Sequence, residues 1–177
     1  MSTEAPLTAT ISMYSASVPV FVRMLGNLDH WLDAATAHAG AKSFDPQVLL
    51  ATRLAPDMLP FTKQIQIASD TVKHCVARLS GAAAPRFEDN EATIAELKQR
   101  IAKTIDFVRS VPAGQINGSE AKVIEVPMRG APALTFSGEN YLKHWAMPNF
   151  YFHVTTAYAL LRHNGVPLGK FDYLGRD

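Results

Sequence analysis

The sequence predicts an all-α fold, a four-helix bundle that forms a single domain over residues 1–177. Along four separate stretches, apolar residues recur at intervals of three and four, the spacing that places them on one face of a helix. Glycine and proline lie between these stretches, where they end one helix before the next begins. With 177 residues and 47% hydrophobic content, the chain can bury one self-stabilising core. Packing four apolar faces against one another is the simplest way to do so.

Residues 1–9 are predicted to form a loose N-terminal arm, and the first helix is predicted to begin at about Thr10. Gly40 and residues 42–46 end this helix. Its apolar face consists of Tyr14, Val18, Phe21, Leu25, Leu28, Leu32 and Ala35.

The second helix is predicted to have a lead-in at residues 51–59, with Pro56 and Pro60 accommodated in its first turns. Asp57 lies at the edge of the apolar face, where it can cap the helix or stabilise its dipole. Cys75, the only cysteine, is interpreted as a small buried hydrophobe, and no internal disulfide can form. The face continues to a stop at Gly81 through Phe61, Ile65, Ala68, Val72, Val76 and Leu79.

The third helix is predicted over residues 90–111, and Pro112 ends it. Its core face consists of Ile94, Leu97, Ile101, Ile105 and Val108. A second set of side chains is assigned to its solvated side, namely Glu96, Lys98, Gln99, Arg100, Lys103 and Asp106.

A long connection at residues 113–136 is rich in glycine and proline and precedes the last helix. Two β-like runs, 122–126 and 133–136, are predicted to pair as a hairpin around a turn at 128–132. A connection of this length in a compact bundle is often functional or covers the core.

The last helix is predicted over residues 137–165. Ser137 caps it, Pro148 kinks it, and Asn164-Gly165 ends it. The tail at 166–177 is predicted to pack back on the bundle, since Phe171, Tyr173 and Leu174 are apolar.

One stripe of this helix carries the densest polar chemistry of the chain. Asn149 and His153 lie four residues apart, so their side chains leave the same face one turn apart. Buried polar groups need partners, because each unpaired group costs roughly 1–3 kcal/mol. His163 lies near the end of the helix, where it can cap the last carbonyls. The whole stripe is Leu142, Trp145, Asn149, His153, Thr156, Leu160 and His163.

Composition excludes several classes of function. Seventeen basic and 16 acidic residues leave a net charge of +1 without any basic block, so neither nucleic acid nor a membrane surface is a predicted partner. No apolar run reaches the roughly 18–20 residues of a bilayer span, and residues 1–6 lack signal-peptide features. With a single cysteine, these features predict a cytoplasmic location. Phosphate-binding loops, nucleophile elbows and CxxC motifs are missing from the sequence.

Two segments of the chain are distinctive: Leu-Ala-Pro-Asp-Met near the second helix, and, from the last helix onward, Pro-Asn-Phe-Tyr-Phe-His-Val-Thr-Thr-Ala-Tyr-Ala-Leu-Leu-Arg-His-Asn-Gly-Val-Pro-Leu-Gly-Lys. Both resemble the DUF1993 family. That family belongs to the DinB/YfiT-like superfamily of metalloenzymes, and the resemblance extends from Met13 to Gly175. It implies a four-helix bundle with up-down-down-up connectivity, often a homodimer. In metal-binding members of the superfamily, one histidine of the second helix and a His-x-x-x-His pair of the last helix bind zinc or nickel.

On this pattern, His153 matches the second histidine of the pair, Asn149 stands in place of the first, and Asp57 is the best match for the second-helix ligand. One imidazole, one carboxylate and one amide form a harder and weaker set than three imidazoles. The resemblance therefore implies either a weak divalent-metal site or a hydrogen-bonded polar cluster in which Asp57 accepts from His153.

Three functions are compatible with these residues. The favoured one is a binding or structural protein with a degenerate metal-type site. The second is a divalent-metal-dependent enzyme, a hydrolase or thiol transferase, with its ion at the three residues just named. The third is a small-molecule sensor whose pocket between helices is lined by Phe61, Trp145, Phe152 and Thr156.

Overall fold

The structure is a computed structural model that describes residues 11–175. The predicted arm at residues 1–9, like Thr10, lies outside the described residues. The described part of the chain is mostly helical, with one small antiparallel sheet. The helices and strands, in chain order, are α1 (Val18–Lys42), α2 (Phe61–Ser80), α3 (Ile94–Ser110), α4 (Ala113–Ile116), β1 (Val123–Met128), β2 (Ala131–Ser137), α5 (Gly138–Tyr141), α6 (Met147–His163) and α7 (Lys170–Leu174). The described residues also form a 3-10 turn at Pro46–Ala51 and a π-helical turn at Leu142–Ala146.

Contacts between facing residues define the directions of α1, α2 and α6. The rings of Phe21 and Phe150 are 5.1 Å apart, and the rings of Trp31 and Tyr158 are 5.4 Å apart, so α1 and α6 run in the same direction. Along α2 and α6 the residue numbers of hydrogen-bonded partners change in opposite senses, so these two helices are antiparallel.

The direction of α3 is given by its N-terminal end. The amide of Ile94 donates to Gln47 Oε1 at 2.9 Å, and Gln47 lies in the 3-10 turn between α1 and α2. Helix α3 therefore begins at the same end of the molecule as α2 and runs in the same direction. The segment between them, residues 81–93, has to cross back along the length of α2.

Two predicted helix starts are wrong. Helix α1 begins at Val18 rather than at about Thr10, with Pro19 in its first turn, where proline needs no amide partner. The predicted lead-in to α2 at residues 51–59 is not α-helical, because Pro56 and Pro60 restrict the residues before them and remove amide donors. Asp57 consequently lies in an exposed turn before α2.

The prediction that Arg100 lies on the solvated side of α3 is wrong, because this residue is only 2% exposed. Its guanidinium pairs with Asp70 at 2.8 Å, Glu91 at 2.9 Å and Asp89 at 3.0 Å. Lys73 also pairs with Asp70, at 2.8 Å. Because Asp89 and Glu91 belong to the crossing segment, these ion pairs tie that segment to α2 and α3. We call these five residues the Arg100 cluster.

The predicted hairpin is confirmed. Strands β1 and β2 are antiparallel, with Val126 opposite Leu134 and a turn in which Gly130 adopts a φ of 73°. Ile124 and Val126 face the core. The ring of Phe136 lies 5.8 Å from that of Trp145, so the hairpin covers the start of the last helical stretch.

The last helical stretch runs without a break from Gly138 to His163, but residues 142–146 form a π-helical turn. Pro148 has no amide to complete the α-helical ladder, and a π turn just before it is one way to accommodate that loss. One extra residue in a turn rotates the preceding part of the helix by about 100° relative to the part after it. As a result, Tyr141 and Asn149, eight residues apart, face α2 together.

The C-terminal tail contacts α1. The indole Nε1 of Trp31 donates to the carbonyl of Asp172 at 3.0 Å, and Asn27 Nδ2 donates to the carbonyl of Tyr173 at 2.9 Å. Tyr173 also stacks on Trp31, with ring centroids 5.6 Å apart. Among residues 11–175, the structure contains no helix that is both long and apolar enough to cross a bilayer.

The Arg100 cluster yields a stability prediction. Arg100→Ala should lower the free energy of unfolding by about 3 kcal/mol, because Glu91 and Asp70 lose a buried partner. Urea denaturation measures this free energy. Arg109→Ala, on the exposed side of the same helix, is the matched control and should change it by no more than about 0.5 kcal/mol. Equal losses in the two variants would contradict a stabilising role for the cluster.

Candidate functional site

Four polar side chains face one another between α2 and α6, and we call them the polar seam: Gln64, Thr71, Asn149 and His153. Gln64 and Thr71 lie seven residues apart, two turns along one face of α2. Oε1 of Gln64 lies 2.8 Å from Nδ1 of His153, and Asn149 Nδ2 donates to Thr71 Oγ1 at 2.8 Å. Asn149 and His153, the two seam residues of α6, thus each have a neutral partner on α2.

The protonation of His153 is determined by the hydrogen bonds of Gln64. The Nε2 group of Gln64 donates to the carbonyl of Leu59 at 2.9 Å, so Oε1 is the atom that faces His153. An amide oxygen can only accept, so Nδ1 of His153 carries the proton of the neutral ring. Its lone pair is then on Nε2.

Burial lowers the pKa of His153 below its ordinary value of 6.5. His153 is 8% exposed, and its Nδ1 partner is an uncharged amide, which gives an imidazolium little compensation for lost hydration. His153 is therefore neutral at neutral pH.

A pocket of about 250 Å³ opens beside the seam at Asn149. Within it, Arg78 Nη1 donates to the hydroxyl of Tyr141 at 2.9 Å. Burial, and next the neighbouring Cys75, raise the pKa of Tyr141 to about 12, although the hydrogen bond from Arg78 opposes the change. We call this cavity the Arg78 pocket, and its lining is Ile67, Asp70, Thr71, His74, Arg78, Tyr141, Trp145 and Asn149.

The structure does not bring Asp57 to His153. Asp57 is exposed in the turn before α2, whereas the hydrogen-bond partner of His153 is Gln64. His163, the secondary candidate, is also exposed. The end of α6 is capped instead by Asn164 Nδ2, which donates to the carbonyl of Leu160 at 2.8 Å.

The four residues predicted to line a pocket lie in three different places. Trp145 is half-buried and lines the Arg78 pocket, whereas Phe61 is fully buried in the core. Phe152 is 55% exposed and lies with Thr156 and Leu54 in a shallow apolar groove on another side of α6.

The donor atoms of the polar seam do not fit zinc or nickel. Zinc sites are built from thiolates, imidazoles and carboxylates, and nickel likewise prefers imidazole to neutral oxygen donors. The seam offers one imidazole, two amides and a hydroxyl. Among residues 11–175 there is no group of three or more His, Cys, Asp or Glu side chains placed to hold a metal ion.

Sequence reasoning missed the α2 half of the site. Gln64, Thr71 and Arg78 recur every seven residues, which places all three on one face of α2. That spacing was a usable signal, but apolar periodicity alone assigns such residues to the edge of the core face. Tyr141 was missed because the π turn changes which residues of the last helix share a face.

The pH dependence of stability tests the state of His153. Because its pKa is lowered in the folded protein, the unfolded chain binds more protons at mildly acidic pH. Stability should therefore be fully present above about pH 6.5 and fall as the pH decreases below it, until the ring titrates in the folded state. Burial, Lys73 and Arg78 also lower the pKa of His74, which adds to the same trend.

Urea denaturation at pH 7.5 and 5.5 should show a smaller pH dependence in His153→Gln than in the wild type. His144→Gln, the same change at an exposed position of this helical stretch, controls for the substitution. A wild type that is more stable at pH 5.5 than at pH 7.5, with this difference lost in His153→Gln, would contradict the neutral ring. It would show that protonated His153 has an anionic partner.

Comparison with known proteins identifies the family. The model of a domain of unknown function, DUF1993, matches residues 13–174. The chain is also similar to the crystal structure of a DinB family member protein from Shewanella denitrificans, with 41% sequence identity and a TM-score of 0.84. That match covers 93% of this chain and 92% of the other. No curated protein matches the chain. The chain belongs to the DUF1993 family, within the DinB-like group of proteins.

Proposed function

We propose that this protein is a binding protein of the DinB type, an up-down-down-up four-helix bundle whose metal-type site has become a hydrogen-bonded polar seam. The helix directions support the bundle, since α1 and α6 run together and α2 and α3 run opposite to them. In this proposal the seam stabilises the α2–α6 contact and shapes the pocket beside it, without metal-dependent turnover.

The contact between His153 Nδ1 and Gln64 Oε1 is the observation that carries the proposal. A catalytic zinc site usually has three protein ligands and an open position for water. Here the second-helix partner of the imidazole is an amide oxygen, which binds zinc poorly, and the residue one turn earlier on α6 is another amide. Within the polar seam, the lone pair of His153 Nε2 is the one strong metal ligand. A single imidazole is too few to hold a divalent ion.

Metal content tests this proposal against the divalent-metal enzyme. Protein purified without a histidine tag should contain well under one equivalent of zinc or nickel by elemental analysis. Its thermal unfolding should not change on addition of EDTA, since no metal contributes to stability. Stoichiometric metal in the wild type that is lost in His153→Ala and in Asn149→Ala would overturn the proposal.

We further propose that two copies of the chain associate through an exposed apolar patch. The patch consists of Leu54, Tyr151 and Phe152, which are 48%, 37% and 55% exposed. Large adjacent apolar side chains on a surface often mark a protein interface. An isologous contact between two copies would bury both patches together.

Sedimentation equilibrium tests the dimer. Phe152→Glu should raise the dissociation constant of the dimer at least about tenfold, because a carboxylate would be buried in an apolar contact. Phe171→Glu places the same change on another exposed phenylalanine, 70% accessible in α7, and should leave the constant unchanged. A monomeric wild type, or equal effects of the two variants, would contradict the proposed interface.

A further inference from the structure

We infer that the Arg78 pocket binds a small organic carboxylate, with Arg78 and Tyr141 holding the carboxylate group and Trp145 and Ile67 contacting the organic part. This inference rests on the proposed binding function and adds the chemical class of the ligand. Three features of the pocket support it: the charge of Arg78, the hydrogen bonds that Arg78 and Tyr141 can donate, and the volume of the cavity.

Arg78 brings to the pocket a charge that forms no ion pair with an acidic residue in the described part of the chain. Its guanidinium is half-buried. Its partner is the hydroxyl of Tyr141, and because the pKa of Tyr141 is raised to about 12, that hydroxyl is neutral. The guanidinium has five N–H donors, so several stay available to an anion.

Asp70 also lines the pocket, but its charge is already compensated. Its carboxylate pairs with Lys73 at 2.8 Å and with Arg100 at 2.8 Å, both within the Arg100 cluster. Burial lowers the pKa of His74 first, and the charges of Lys73 and Arg78 lower it further, against the opposing effect of Asp70. The ring thus stays neutral beside these cations, and the pocket favours an anion over a cation.

Tyr141 can supply a second hydrogen bond to the ligand. Its oxygen accepts from Arg78, so its own O–H is left to donate. A carboxylate at this point would receive charge-assisted hydrogen bonds from the guanidinium and one from the phenol. Asn149, at the edge of the pocket, is held by the bond that its Nδ2 donates to Thr71 Oγ1 at 2.8 Å.

The size and walls of the pocket limit the organic part. About 250 Å³ is below the roughly 300–1,000 Å³ of pockets for drug-sized ligands, so the ligand is small. Trp145 and Ile67 provide an aromatic and an aliphatic wall. One guanidinium suits a singly charged carboxylate better than a phosphate dianion, whose second charge would be left without a partner.

Benzoate is the probe for this site, with benzamide as its neutral isostere and inorganic phosphate as a different anion. Calorimetry on the full chain should give a dissociation constant for benzoate of about 1 mM or lower, at least tenfold tighter than for benzamide or phosphate. The chain has two tryptophans, and only Trp145 lines the pocket. In an NMR titration, benzoate should therefore shift the Trp145 indole resonance and leave that of Trp31, which bonds to Asp172, in place.

Two variants and a control complete the test. Arg78→Gln should weaken benzoate binding at least about tenfold, because a charge-assisted contact is lost. Tyr141→Phe, which keeps the buried ring, should weaken it several-fold. Arg109→Gln makes the same change as the first variant at an exposed position of α3 and should bind benzoate like the wild type.

No benzoate binding, equal binding of benzamide, or wild-type affinity in Arg78→Gln would each overturn the carboxylate site. These results would leave the metal-free seam in place, because that proposal is judged by metal content. Conversely, stoichiometric metal in a protein that binds benzoate as expected would overturn the metal-free seam and leave the carboxylate site in place.

Discussion

The antiparallel contact between α2 and α6 is the constraint on which the candidate site depends. Both helices bring polar side chains into a largely apolar interface, and each group must find a partner across it or cost stability. Gln64 meets this requirement because its amide is oriented at both ends, by the carbonyl of Leu59 and by the ring of His153. The same two bonds determine the tautomer of His153 and leave its ring with an uncharged partner. The seam residues of the two helices are thereby joined in pairs by neutral hydrogen bonds.

Arg100 and Arg78 differ in how their charges are balanced. Arg100 is buried, and three carboxylates surround its guanidinium, so its charge is used to hold the crossing segment against α2 and α3. Arg78 is half-buried and meets a neutral phenol. A charge that the fold already balances is structural. The charge of Arg78 faces a cavity beside a neutral hydroxyl, where a bound anion can balance it.

The hairpin and the π turn decide which residues reach the pocket. The hairpin packs Phe136 against Trp145, and the π turn brings Tyr141 to the same side as Asn149. The start of this stretch is also closely packed, since a side chain at Gly138 would meet the backbone carbonyl of Ser119. The long connection before the last helix is therefore part of what builds the pocket. In a regular α-helix, Tyr141 would be rotated away from Arg78.

Features that depend on residues close together in the chain can be predicted from the order of the amino acids. Apolar periodicity predicted the cores of α2 and α3, and a spacing of four put Asn149 and His153 on one face. Two β-like runs within a connection rich in glycine and proline predicted the hairpin. The hydrogen-bond and ion-pair partners of these polar side chains depend on the tertiary structure. Two prolines keep Asp57 in a loop away from His153, and the crossing segment buries Arg100, which α3 alone would leave in water. Such contacts join residues distant in sequence, so their energies are absent from any local pattern.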